Sequence, residues 1–208
     1  MSDSLRRANT ATTNEPTDDQ LLAIAPTSAY VAVITLVLSG VALVLFFGGV
    51  GYVFGPINDV LVAATLFLLI PVALAVRRLA AGQAGQWFTV LTWIAIAGML
   101  EAAVGQLLLV VGLISLQTSF LTGAVGIVPV LAWIGGVSYL ALRRDVLDRP
   151  TGLWGAAFLG TSAVTAVAGP FLPQPVLYAM GFPLAVAAVG FLWSLARALK
   201  LVHAARPS

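Results

Sequence analysis

Residues 60–78 read "VLVAATLFLLIPVALAVRR". From Val60 to Val76 no side chain is charged, and Thr65 is the only polar one; then two arginines arrive together. An α-helix rises about 1.5 Å per residue, so about 20 apolar residues cross the roughly 30 Å hydrocarbon layer of a bilayer. The stretch reads as a membrane-spanning helix whose last turn reaches water at Arg77 and Arg78.

The run is one of six. Working outward along the chain, apolar segments fall at 28–54, 58–79, 87–116, 119–142, 152–169 and 176–200. The breaks between them carry turn chemistry: Gly55-Pro56, Gly82 and Gly85, "QTS" at 117–119, "RRDVLDRP" at 143–150, and Gly169-Pro170 through Pro175. Asn58 or Asp59 is expected to cap the second helix and Thr151 the fifth.

Composition agrees. The 208 residues are 60% hydrophobic and 9% charged, and the mean hydropathy is +1.03. A soluble domain carries about a quarter charged residues, so there is too little polar surface here to cover a globule in water. The expected fold class is all-α: a polytopic, up-down bundle of six transmembrane helices. It occupies residues 26–204, between a polar tail at 1–25 that contributes little to the fold and a short C-terminal tail at 205–208. Arg6 and Arg7 lie too far from the first apolar run for the tail to be a cleavable signal peptide.

Charge placement sets the expected topology. Arg6 and Arg7, Arg77 and Arg78, Arg143, Arg144 and Arg149, and Arg197, Lys200 and Arg206 all fall on one side of such a bundle. The alternate loops, 55–57, 117–118 and 170–175, contain no lysine or arginine. Both termini are therefore expected to be cytoplasmic, in a bacterial or archaeal cytoplasmic membrane. The same asymmetry accounts for the isoelectric point near 9.4 through contact with anionic lipid, and no nucleic-acid partner is implied.

Several chemistries are excluded. Without cysteine there is no disulfide, thiolate nucleophile or iron–sulfur ligand. His203 is the single histidine, so a haem with two histidine ligands from one chain is ruled out. Lys200, the only lysine, lies near a helix end and cannot hold a retinal at the centre of a bundle. No metal site and no cofactor are expected, and no nucleophile stands beside a base.

One residue stands out against this background. In "GMLEAAVGQLLLVVG" (98–112), Glu101 is the only charge in the third apolar run. Gly98, Gly105 and Gly112 are spaced by seven and share a helix face, with Glu101 on the same side. Small residues at that spacing admit a neighbouring helix. Glu101 is therefore expected at mid-depth, pointing into the bundle toward Thr161, Ser162 and Thr165 on helix five, with Gln106 at a different angle. No cation lies at that depth, so a carboxyl in a dry bundle is expected to keep its proton. Two roles fit: an intramembrane proton or hydrogen-bond site, or an interhelical clamp. Trp87, Trp154, Tyr52 and Tyr178 suit interfacial belts, whereas Trp93, Trp133 and Trp193 lie deeper, as packing residues. Helices two, four and six each carry a proline (Pro71, Pro129, Pro183) and end in a basic phrase, a pattern that fits either a threefold repeat of hairpins or the ordinary ending of inward-going helices in an up-down bundle on arginine.

The phrases "YVFGPINDVLVAATLFLLIPVALAVRRL" (52–79) and "IAGMLEAAVGQLLLVVGLI" (96–114) resemble a bacterial family of six-helix integral membrane proteins of unknown function, in which a "FGPxxD" turn precedes helix two. The resemblance implies a six-helix bundle and no catalytic residue.

Two classes of function follow. In the first, a small lipophilic or protonatable molecule binds or is transported, with Glu101 as its proton or hydrogen-bond site. In the second, the protein is a structural or accessory subunit whose glycine-rich helix faces pack against a membrane partner or a second copy. A membrane enzyme ranks third.

Overall fold

The computed structural model describes residues 18–205. They form six helices: α1 (Asp18–Phe47), α2 (Phe54–Ala80), α3 (Gly85–Val110), α4 (Leu116–Arg143), α5 (Arg149–Ala168) and α6 (Gln174–Ala204), with a short 3-10 turn, Gly169–Phe171, before α6. Each of the six is long and apolar enough to cross a membrane. Among the described residues there is no strand, so the all-α, six-helix expectation holds.

The helix ends differ from the sequence reading in several places, four of them for a clear local reason. First, α1 begins at Asp18 and carries Pro26 inside it. A proline removes only its own bond, to the carbonyl four residues back, and burial of Leu21, Leu22 and Ala25 holds the extra turns in place. Residues 18–25 therefore belong to the packed domain and not to a tail; residues 1–17 lie outside the described part. Second, α2 begins at Phe54, so Pro56 sits in its first turn, where no backbone N–H is needed. Asn58 and Asp59 lie a turn inside the helix, and neither caps it; the N-cap position, Val53, makes no side-chain cap. Third, Asp148 caps α5, its carboxylate accepting from the Thr151 backbone N–H at 3.3 Å and from the Thr151 hydroxyl. Thr151 receives the cap instead of supplying it.

Fourth, α3 stops at Val110, well short of 116. Gly112 adopts a left-handed φ of +74°. Its N–H donates to the Leu109 carbonyl at 3.0 Å, and the Leu113 N–H donates back to Leu108 at 2.9 Å. This Schellman closure satisfies carbonyls that the helix end leaves free. Gly49 (φ +76°) ends α1 in the same way, with Val50 donating to Leu45 at 3.0 Å. Two of the three helices that run away from the arginine-bearing end, α1 and α3, thus terminate on a left-handed glycine.

Each helix packs on its neighbours in the chain, and α6 returns to α1, so the six close into a ring. Neighbours run antiparallel. Phe46 meets Gly55 and Thr35 meets Thr65 between α1 and α2; Gly98 meets Gly126 and Gly105 meets Thr122 between α3 and α4. Gly152 and Gly155 of α5 lie on Leu142 and Ser138 of α4, and Gly190 of α6 lies on Trp154 of α5.

The core sits toward the end where the basic residues gather. Its largest buried side chains include Trp133, Phe88, Phe191, Leu22, Met99, Leu140, Leu195 and Leu199. From Ala156 through Val186, the described side chains of α5 and α6 include none that is buried. The ring is therefore packed at the basic end and looser at the other.

Candidate functional site

The contact between α3 and α4 fixes where Glu101 points. A Cβ on Gly98 would lie 2.3 Å from the Gly126 carbonyl oxygen, and one on Gly126 would lie 2.7 Å from the Gly98 carbonyl. Only two glycines allow that backbone approach. One turn further along, a Cβ on Gly105 would stand 3.0 Å from the Thr122 hydroxyl. The face formed by Gly98 and Gly105 is thus filled by α4.

Glu101 stands on the rim of that contact. At about 100° per residue it lies about 40–60° round the helix from the two glycines. Because α4 presses so closely on the glycine line, its contact covers Ala102 and Gly105, and Glu101 falls outside it; the side chain is exposed. It shares an outward stripe with Val90, Trp93, Ile94, Leu100 and Val104. This overturns the expectation that Glu101 points into the bundle. Its depth changes as well. With α3 ending at Val110, Glu101 is about 14 Å from the end remote from the arginines and about 24 Å from the other, not at the midpoint.

The expected partners do not assemble around it. α3 packs on α2 and α4, whereas α5 packs on α4 and α6. On α5 the Thr161 hydroxyl donates to the Phe158 carbonyl at 2.9 Å, Ser162 to the same carbonyl at 2.8 Å, and Thr165 to Thr161 at 2.8 Å. All three hydroxyls are satisfied on their own helix. Gln106 projects about 140° round α3 from Glu101. Gly112 belongs to the turn after α3 and not to its packing face. Among the described residues Glu101 makes no hydrogen bond and no ion pair.

Glu101 does line a groove. Leu100, Glu101, Val104, Gly105 and Leu108 form one wall, and Ile114, Thr118 and Thr122 form the other, around an open volume of about 380 Å³. Gly105 and Thr122 stand where the two walls approach each other closely. Ser115 caps α4 by accepting from the Thr118 N–H at 3.2 Å, and this turn positions the Thr118 side chain. The Thr122 hydroxyl donates to the Thr118 and Ser119 carbonyls, each at 3.1 Å. The groove is apolar walls with one carboxyl and two hydroxyl groups, open sideways from the ring.

Three further features escaped the sequence reading. The Ser39 hydroxyl donates to the Asn58 side-chain oxygen at 2.7 Å, and the Asn58 amide donates to Asp59 at 3.2 Å, making a polar seam between α1 and α2. A sequence signal existed: Thr35 and Ser39 are spaced by four, and Asn58 and Thr65 by seven, so each pair marks one helix face. The Arg77 guanidinium stacks 5.1 Å above the Trp93 ring, joining α2 to α3. Among the described residues Trp133 is the largest fully buried side chain, and its indole N–H has no hydrogen-bond partner there. Trp193, expected deeper, faces outward with its ring edge-on to Tyr30 at 5.2 Å. Among the described residues no three histidine, aspartate or glutamate side chains come together as metal ligands would.

A ring of six apolar helices, with the cationic side chains of the described residues at one end, defines a multi-pass membrane protein. No protein-family model, curated protein or solved structure matches the chain.

Proposed function

We propose that the protein binds or carries a small lipophilic, protonatable molecule, which enters from the bilayer and meets Glu101 in the groove between α3 and α4. The observation that carries this reading is an unpartnered carboxyl, within a helix that can cross a membrane, on the outward wall of an apolar groove. An acidic group in that position is costly to keep, because hydrocarbon offers it no hydrogen bonds. A basic nitrogen on an apolar scaffold supplies what the lipid lacks, and the walls accept the scaffold. Thr118 and Thr122 add hydroxyl oxygens on the facing helix.

The accessory-subunit reading loses support, since Gly98 and Gly105, the surface it depended on, are covered by α4. We further propose that the basic end faces the cytoplasm of a bacterial or archaeal cell, on the one-sided placement of arginine and lysine.

The test is photolabelling of the reconstituted protein with a lipophilic tertiary amine that bears a diazirine. The expected labels fall on peptides spanning residues 100–108 and 114–122, and Glu101→Gln reduces them several-fold while the fold is retained. Labelling that ignores the Gln substitution, or that concentrates elsewhere on the ring, contradicts the proposal.

A further inference from the structure

A second cavity lies at the opposite end of the α3–α4 pair, among the arginines. It is a half-open pocket of about 290 Å³, lined by Gln83, Ala84, Trp87, Tyr139, Leu140 and Arg144. The α2–α3 turn builds one side. Gly85, at a left-handed φ of +65°, reverses the chain there, so that Gln83 and Trp87 both reach the cavity. The end of α4 builds the other side with Tyr139 and Arg144. Leu140, fully buried, and Ala84 are its apolar members. The Trp87 and Tyr139 rings meet edge-on, 6.3 Å apart, and both are half exposed.

The lining is rich in hydrogen-bond donors. Gln83, Trp87, Tyr139 and Arg144 each carry a hydrogen-bond donor, and no carboxylate lines the cavity. Arg144 is exposed and, among the described residues, its side chain makes no ion pair. A guanidinium fork matches the oxygens of a phosphate in pairs. The position narrows the source of that phosphate. Tryptophan and tyrosine favour the headgroup level of a bilayer, and the cavity is at the helix ends, where the apolar spans stop. Anionic headgroups concentrate at such a basic surface.

We infer that this cavity binds the phosphate of an anionic membrane lipid, with Arg144 on the phosphate oxygens and Trp87 and Tyr139 framing the headgroup. The site is independent of the groove at Glu101 and stands whether or not that groove binds a ligand. It differs from diffuse attraction to the basic end, because it assigns the binding to one arginine among several.

The experiment uses the full-length protein in detergent, titrated with phosphatidylglycerol, with phosphatidylcholine as the zwitterionic reference, and reads retained lipid by native mass spectrometry. Arg144→Gln is expected to weaken phosphatidylglycerol retention about tenfold, as fits the loss of a charge-assisted contact. Arg197→Gln, on α6, serves as the control and is expected to change it by less than about twofold. Tyr139→Leu, which removes the aromatic frame without altering charge, is expected to lower retention as well. Millimolar inorganic phosphate is expected not to displace the lipid. Equal losses for Arg144→Gln and Arg197→Gln would reduce the site to diffuse attraction and overturn the inference. Unchanged retention in Arg144→Gln, or displacement by inorganic phosphate, would overturn it too.

Discussion

Glu101 and Gly98 are three residues apart and do opposite things. The glycine vanishes into the tightest backbone contact in the ring, and the glutamate stays outside it. The sequence placed both on one side of α3 correctly. What it could not supply was how narrow the contact is. Two facing glycines bring α3 and α4 so close that the covered arc ends before it reaches a residue about 50° away. Stability should follow this division. Gly98→Val forces a side chain against the Gly126 carbonyl, and the helices must part; overpacking of this kind costs about 1–3 kcal/mol or more. The expected result is a clear fall in the thermal midpoint of the purified protein, where Gly40→Ala, with nothing within 4 Å, leaves the midpoint unchanged or raises it. Glu101→Leu replaces an unpartnered carboxyl on a lipid-facing wall with an apolar side chain. It is expected to keep or raise the midpoint while abolishing amine labelling of the groove. A large loss of stability in Glu101→Leu would mean that the carboxyl holds the fold together.

At the scale of helices, existence was readable and ends were not. Six runs of sufficient length and apolarity became six helices, because length and hydropathy are summed over about 20 residues and survive local exceptions. The ends turn on single residues with two meanings. Pro26 and Pro56 look like breaks, yet one costs α1 a single bond and the other sits where α2 needs no donor. Gly112 continues a spacing of seven, yet it is the left-handed residue that stops α3. The hydrophobic residues before the first expected span settle the start of α1: Leu22 is 1% exposed and belongs to the core. Leu22→Ala is therefore expected to cost about 2 kcal/mol or more, measurable as a lowered midpoint in thermal or denaturant unfolding. A neutral outcome would return residues 18–25 to the status of a tail.

The whole molecule is asymmetric along its axis. Large side chains fill the ring where the arginines gather, and the far halves of α5 and α6 stay uncovered. Charge placement made the basic end visible in the sequence. The order of helices around the ring was not visible, since α3 meets α4 and not α5 only because chain neighbours stay adjacent throughout. That arrangement moved the candidate site from the interior of the bundle to its outer wall, and the functional reading depends on it. The chain has no cysteine, so single cysteines can be introduced and spin-labelled in the protein reconstituted in a bilayer. A nitroxide at position 101 should collide freely with dissolved oxygen, which concentrates in the hydrocarbon, whereas one at position 102, where Ala102 is 5% exposed, should be shielded. If the label at position 101 proves as shielded and immobile as the one at 102, then Glu101 faces a packed interior and the lipid-accessible groove does not exist.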